Sequence, residues 1–205
     1  MVSHSDNLVG NVLAEFDGAD LGDARRVARL RKVASRLVAA ADLGFPRALA
    51  DESELEGFYR LLRNEKVSFE AILSAHTKAT VGRMHGLAEV LAVHDSSEFH
   101  FAGQRQGLGA LKQKSQGFTG HFSLAVAADG SRAPLGVLAA ELCVRTQRGV
   151  SSRRRAGAEK ISHRDVYLLP NEQDRWLRGI AASESVIGDT QCQLIHVMDS
   201  EADDY

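Results

Sequence analysis

The chain has no apolar run long enough to cross a membrane, and its N-terminus has no apolar core of a secretory signal. The expectation is a soluble cytoplasmic protein without a membrane partner. Cysteine is scarce: Cys143 and Cys192 are the only two, and both lie in apolar runs. They read as buried free thiols in a reducing compartment rather than a disulfide or a metal pair. Charge of one sign is not in excess. The formal net charge is −2, so no global field recruits a polyanion, and local patches must do so if anything does. Internal repeats and low-complexity tracts are absent. The acidic stretch Asp199–Asp203 lacks the glycine and distal glutamate of an EF-hand calcium loop.

What is present is an ordinary apolar fraction of 44%, enough for a real core. Residues 1–85 read as all-helical. Asp23 is a natural N-cap, and the segment after it runs helical to about Ala41. Val27, Leu30, Ala34, Leu37 and Val38 share one face of that helix. Arg25, Arg29, Lys32 and Arg36 share the opposite face. Gly44 and Pro46 mark a loop. A second helix is expected over Glu52 to Arg63, and a third from the cap Ser68 to about His85.

After Gly86 the period changes. Val90 to Phe101, Phe122 to Ala127 and Leu135 to Val144 read as strands, with Asp129-Gly130 as a turn. Residues 103–117 read as a surface loop and residues 147–165, with Arg153, Arg154 and Arg155, as a basic loop. A helix over Asp174 to Ser185 and a strand over Leu194 to Met198 follow. Three antiparallel strands, a crossover helix and a fourth strand beside the first is how a ribonuclease H-like core begins. The fold class expected is therefore α+β: a helical domain over 1–85, then an incomplete ribonuclease H-like α/β core over 86–205.

Two aspartates stand out. Asp95 closes the apolar run Val90-Leu91-Ala92-Val93-His94, and Asp199 closes Leu194-Ile195-His196-Val197-Met198. A carboxylate at the end of a buried strand is costly unless a metal, an ion pair or hydrogen bonds compensate it. On neighbouring strands the two would meet and could hold a divalent metal. The plainer reading is that each caps a following turn or helix. His94 and His196 alternate away from these aspartates, and packing is the first reading of both.

Several stretches in order resemble the bacterial cut-and-paste transposases of the insertion-sequence-four family. They are Leu21-Gly22-Asp23-Ala24-Arg25-Arg26 with Ala28-Arg29-Leu30, and Gly57-Phe58-Tyr59-Arg60-Leu61-Leu62-Arg63-Asn64. Then come Val93-His94-Asp95-Ser96-Ser97, Lys114-Ser115-Gln116-Gly117 with His121, and Met198-Asp199-Ser200-Glu201-Ala202-Asp203. The resemblance implies a helical domain that grips transposon inverted-repeat ends in double-stranded DNA. It also implies a ribonuclease H-like domain that performs two-metal hydrolysis and strand transfer, the chemistry of DNA transposition and recombination.

In that family an Asp, Asp and Glu set binds two Mg2+ or Mn2+ ions. Asp95 and Asp199 match the two aspartates. The glutamate lies in a Tyr-x-x-Arg-x-x-x-Glu pattern that this sequence does not contain, and the family's dimerisation helices have no match either. The resemblance thus covers the front half of such a transposase. It predicts end binding without strand cleavage by this chain alone, a homodimer in the complete protein, and nucleoid association when DNA is bound.

The DNA-contact set expected is Arg25, Arg26, Arg29, Lys32, Arg36, Arg60 and Arg63, against the plain reading of a solvated helix face. Tyr59 and Phe58 read as core residues. Two further readings compete: a non-catalytic DNA-binding remnant that inhibits an intact transposase, and a small metal hydrolase in which Glu201 joins Asp95 and Asp199.

Overall fold

The computed structural model describes residues 12–49, 51–103, 105–111, 115–144, 174–188 and 190–199. The basic loop over 147–165, Lys112, Lys114, Glu201 and Asp203 lie outside them. The chain divides into two compact units, Met1–Arg83 and Met84–Tyr205.

The first unit is helical. Helix α1 spans Ala24–Ala39 and starts where Asp23 leaves the helix in an extended conformation and its carboxylate accepts from the Arg25 amide. That contact satisfies one of the amides a helix start leaves open. A one-turn helix α2, Phe45–Ala48, carries a proline in its first turn, where the missing N–H costs nothing. Sequence reasoning took the Gly44 and Pro46 signals there as a loop. Helix α3 spans Glu52–Leu62, capped by Asp51, whose carboxylate accepts from Glu54 N. Helix α4 spans Phe69–Met84, and the Ser68 hydroxyl accepts from Ala71 N at its start.

The helices bury two small cores. Leu21, Leu30, Leu61 and Ala75 form one, with Phe16, Val27 and Ile72 packed on it. Val33, Leu49 and Phe58 form the other. Phe58 is buried and stacks on Phe45 with ring centroids 5.4 Å apart. Tyr59, expected in the core, is 44% exposed: one residue after Phe58 it is turned part-way round the helix, off the buried face, with its ring tilted against Phe58.

The second unit is a mixed sheet covered on one face by a helix. Its strands are β1 (Glu89–Phe101), β2 (Gly109–Ala110), β3 (Gln116–Ala127), β4 (Pro134–Cys143) and β5 (Gln193–Val197). The order is β2-β3-β1-β5, with β4 also paired to β3. β3 pairs antiparallel with both β1 and β4, and β5 runs parallel to β1 on its far side.

β3 starts six residues earlier than its apolar pattern suggests. Gly117 and Gly120 obscure the signal, and both are needed: a Cβ at Gly117 would strike the Phe99 carbonyl, and one at Gly120 would sit 2.7 Å from the Phe122 ring. β2, in the segment expected to be loop, pairs with that added start of β3.

Helix α5 (Asp174–Ile187) packs across β4, β3 and β1. It covers the face that carries Val90, Ala92, His94, His121, Ser123 and Ala125, all buried. Trp176 is 1% exposed and meets the His121 ring edge-on at 4.8 Å. Gly179 is the point of closest approach, since a Cβ there would lie 2.6 Å from His121 Nε2 and 3.1 Å from His94 Nδ1. Among the described residues no helix is long and apolar enough to cross a membrane.

Candidate functional site

The basic face of α1 is less uniform than its spacing implies. Arg25, Arg26, Arg29 and Arg60 line one open cleft together with Asp23, Gly57, Leu61 and Asn64. Each cation is held differently. Arg25 Nη2 lies 2.8 Å from Asp23 Oδ2, and the hydrogen bond from Arg25 pulls the Asp23 carboxyl down to about 2. Arg26 Nη1 donates to the Leu21 carbonyl at 2.7 Å, which ties the start of α1 to the preceding loop. Arg60 makes an exposed i,i+4 pair with Glu56 at 3.2 Å. Such exposed pairs contribute little to stability and can be exchanged for a phosphate.

Arg29 is the distinctive member. Its guanidinium lies across Gly57 of α3, where any Cβ would collide with it. The absence of a side chain at Gly57 thus leaves room for the exposed Arg29 guanidinium to lie against α3. The planar fork of donors of a guanidinium suits a phosphate oxygen pair.

Lys32 and Arg36 do something else. Lys32 Nζ lies 2.6 Å from Glu54 Oε1, and Arg36 Nε lies 3.3 Å from Glu54 Oε2. The Glu54 side chain is only 9% exposed. These two cations therefore clamp α1 to α3 around a buried carboxylate. Arg63 is the exposed C-cap of α3 and does not line the cleft. The structure gathers Arg25, Arg26, Arg29 and Arg60 from the expected set and leaves Lys32, Arg36 and Arg63 apart. Asn64 of the cleft stood in a quoted stretch without being named a contact residue, and Glu54 of the clamp was not singled out at all. The only cue to Glu54 was the spacing of Asp51 to Glu54, a capping box that points to a helix start rather than an ion pair.

The two aspartates lie on the sheet unit. β1 and β5 pair in parallel with Val93 opposite Val197. The ladder ends there; two residues further on, the same register would set Asp95 and Asp199 on one rung and one face. Both are exposed, so the burial cost inferred from their apolar surroundings does not arise. Asp95 also does not end its strand: β1 runs on to Phe101, and Asp95 pairs with Phe122 of β3. Two carboxylates on one rung are hard oxygen donors of the type Mg2+ and Mn2+ take. Among the described residues no group of three His, Cys, Asp or Glu side chains could hold a metal ion.

His94 and His196 point to the opposite face, as alternation requires, but they do more than pack. His94 Nε2 and His196 Nδ1 lie 2.8 Å apart. Ser123 Oγ lies 2.9 Å from His94 Nδ1, and His196 Nε2 lies 3.0 Å from Glu184 Oε1 of α5. Burial pushes His94 down to about 4, and the neighbouring His196 and His121 add to that. His121 is pushed down too, first by burial and then by Arg175.

Residues 12–67 match the family model described as transposase DNA-binding. The matched segment holds α1, α2 and α3 with the arginine cleft and ends before α4. The match supports a transposase N-terminal domain here, with DNA as its partner.

Proposed function

We propose that this chain is the end-binding front part of a cut-and-paste DNA transposase of the insertion-sequence-four family. The observation that carries the reading is the transposase DNA-binding match over the unit that holds the arginine cleft. In this reading residues 1–85 grip inverted-repeat ends of double-stranded DNA. Arg25, Arg26, Arg29 and Arg60 take backbone phosphates, which fix the protein's position on the duplex. Lys32 and Arg36 hold the fold around Glu54 and contribute their field, and Arg63 extends the basic surface.

Residues 86–205 form the first part of a ribonuclease H-like catalytic domain. Support comes from an antiparallel β1-β3-β4 set with β5 returning parallel to β1 across a helix. Asp95 and Asp199 are its two metal-ligating aspartates, for Mg2+ or Mn2+. Of two ions bound there, one would lower the pKa of an attacking water or 3′-hydroxyl and the other would stabilise the leaving oxygen of a phosphodiester. The chain's own part is to present two carboxylates from adjacent strands on one rung. Hydrolysis and strand transfer, homodimerisation and nucleoid association belong to the complete transposase in this proposal.

The test is equilibrium binding of the full chain to duplex DNA across a salt series. A cleft that takes about four phosphates predicts a log–log slope of roughly −3 to −4. Arg29→Ala reduces the slope by about 1 and lowers affinity at low salt. A slope near zero, or an Arg29→Ala variant with unchanged slope and affinity, removes the cleft from the account.

A further inference from the structure

We propose that the side-chain relay Ser123–His94–His196–Glu184, buried at its Ser123 and His94 end and open at Glu184, locks the register of β1 against β5, and so sets Asp95 opposite Asp199; its bearing on metal rests on the reading above. Ser123 is 0% and His94 3% exposed, and the chain runs from β3 through β1 and β5 to α5. With neutral rings and an ionised Glu184, one proton arrangement satisfies all three contacts. A carboxylate only accepts, so His196 carries its proton on Nε2. His196 Nδ1 then accepts from His94 Nε2–H, and His94 Nδ1 accepts from the Ser123 hydroxyl. Glu184 thereby dictates both tautomers from the helix.

The lock answers a weakness in the sheet's own pattern. A slip of one residue would turn every side chain of β5 to the wrong face and is excluded by burial. A slip of two residues keeps the faces. Leu91, Val93, Ile195 and Val197 are alike in chemistry on the open face, so apolar contact on that face hardly distinguishes the two registers. Yet such a slip would move Asp199 along the strand by roughly 6–7 Å, twice the rise per residue.

The histidine bond does distinguish them. The ladder partner of His196 is Ala92, so its contact with His94 is diagonal and depends on the register. Helix α5 holds both ends of it: Glu184 accepts from His196, and Gly179 lies against the His94 ring. In this role His94, His196 and Glu184 are positioning residues.

The experiment is NMR of the full chain at pH 8, with Mn2+ affinity read by electron paramagnetic resonance of the free ion. Both rings are expected as Nε2–H tautomers, with a cross-strand contact between Val93 and Val197. In Glu184→Ala, His196 loses its single tautomer, the Val93–Val197 contact weakens, and Mn2+ affinity falls about tenfold, as for other residues that orient a metal site's ligands. Glu184→Gln, whose amide oxygen still accepts, restores all three to within about twofold. Val186→Ala, an exposed change on the same helix, leaves them unaltered.

A proton on Nδ1 of either ring overturns the lock. So does a Glu184→Ala chain that keeps its tautomers and register, or a Val186→Ala chain that loses them equally. Intact tautomers, register loss in Glu184→Ala and no Mn2+ binding by any variant would support the lock and refute the metal reading.

Discussion

Acid should loosen the sheet unit well above the range where carboxylates titrate, because His94 is held neutral inside it. Its value of about 4 lies below the ordinary 6.5 through burial first, then its histidine neighbours. The unfolded chain therefore takes up this proton at higher pH than the folded one. The contribution of neutral His94 is complete above about pH 6.5 and is lost as pH falls toward 4. The full difference corresponds to about 3 kcal/mol, and about 2 kcal/mol of it is gone by pH 5. His121, shifted in the same direction, adds to the loss.

The assay is urea unfolding at pH 8, 6.5 and 5, followed by Trp176 fluorescence. Trp176 is the chain's one tryptophan and is buried against His121, so its signal reports this unit alone. The midpoint falls between pH 6.5 and 5, and His94→Gln flattens most of that fall. A Trp176 transition that does not change between pH 8 and 5 would refute the buried neutral imidazole.

Glu54→Ala leaves Lys32 and Arg36 without their shared carboxylate and is expected to destabilise the helical unit by about 2 kcal/mol, more than an exposed pair would. Thermal unfolding by far-ultraviolet circular dichroism checks it, and an unchanged midpoint would make the clamp ornamental. Gly179→Ala puts a methyl group against His121 Nε2 and His94 Nδ1 and is expected to cost about 1–3 kcal/mol by overpacking. The same Trp176 unfolding curve measures it, and wild-type stability would show that α5 can lift off the sheet at no cost.

Local signals carried much of the fold. The Asp23 cap and the spacing of Val27, Leu30 and Leu37 specify α1 because capping and 3.6-residue periodicity act within a few residues. The parallel meeting of β1 and β5 was legible from two apolar runs with an aspartate after each and a helical segment before the second. β3 was read short because Gly117 and Gly120 carry no strand signal, and their reason is contact with Phe99 and Phe122.

The candidate site was legible as residue types but not as partnerships. Spacing placed Arg29, Lys32 and Arg36 on one stripe and could not say that Glu54 from another helix takes two of them. Alternation turned His94 and His196 away from the aspartates. It could not say that they meet, which depends on strand register and on Glu184 reaching in from α5.

The central claim is that the arginine cleft of residues 12–67 belongs to a DNA-end reader. It is tested most directly by selecting duplexes from a random pool with the full chain at physiological salt. The account predicts convergence on one duplex motif, and loss of that convergence when Arg29 and Arg60 are both replaced by alanine. A pool that stays random with the wild-type chain, or converges equally with the double variant, contradicts it.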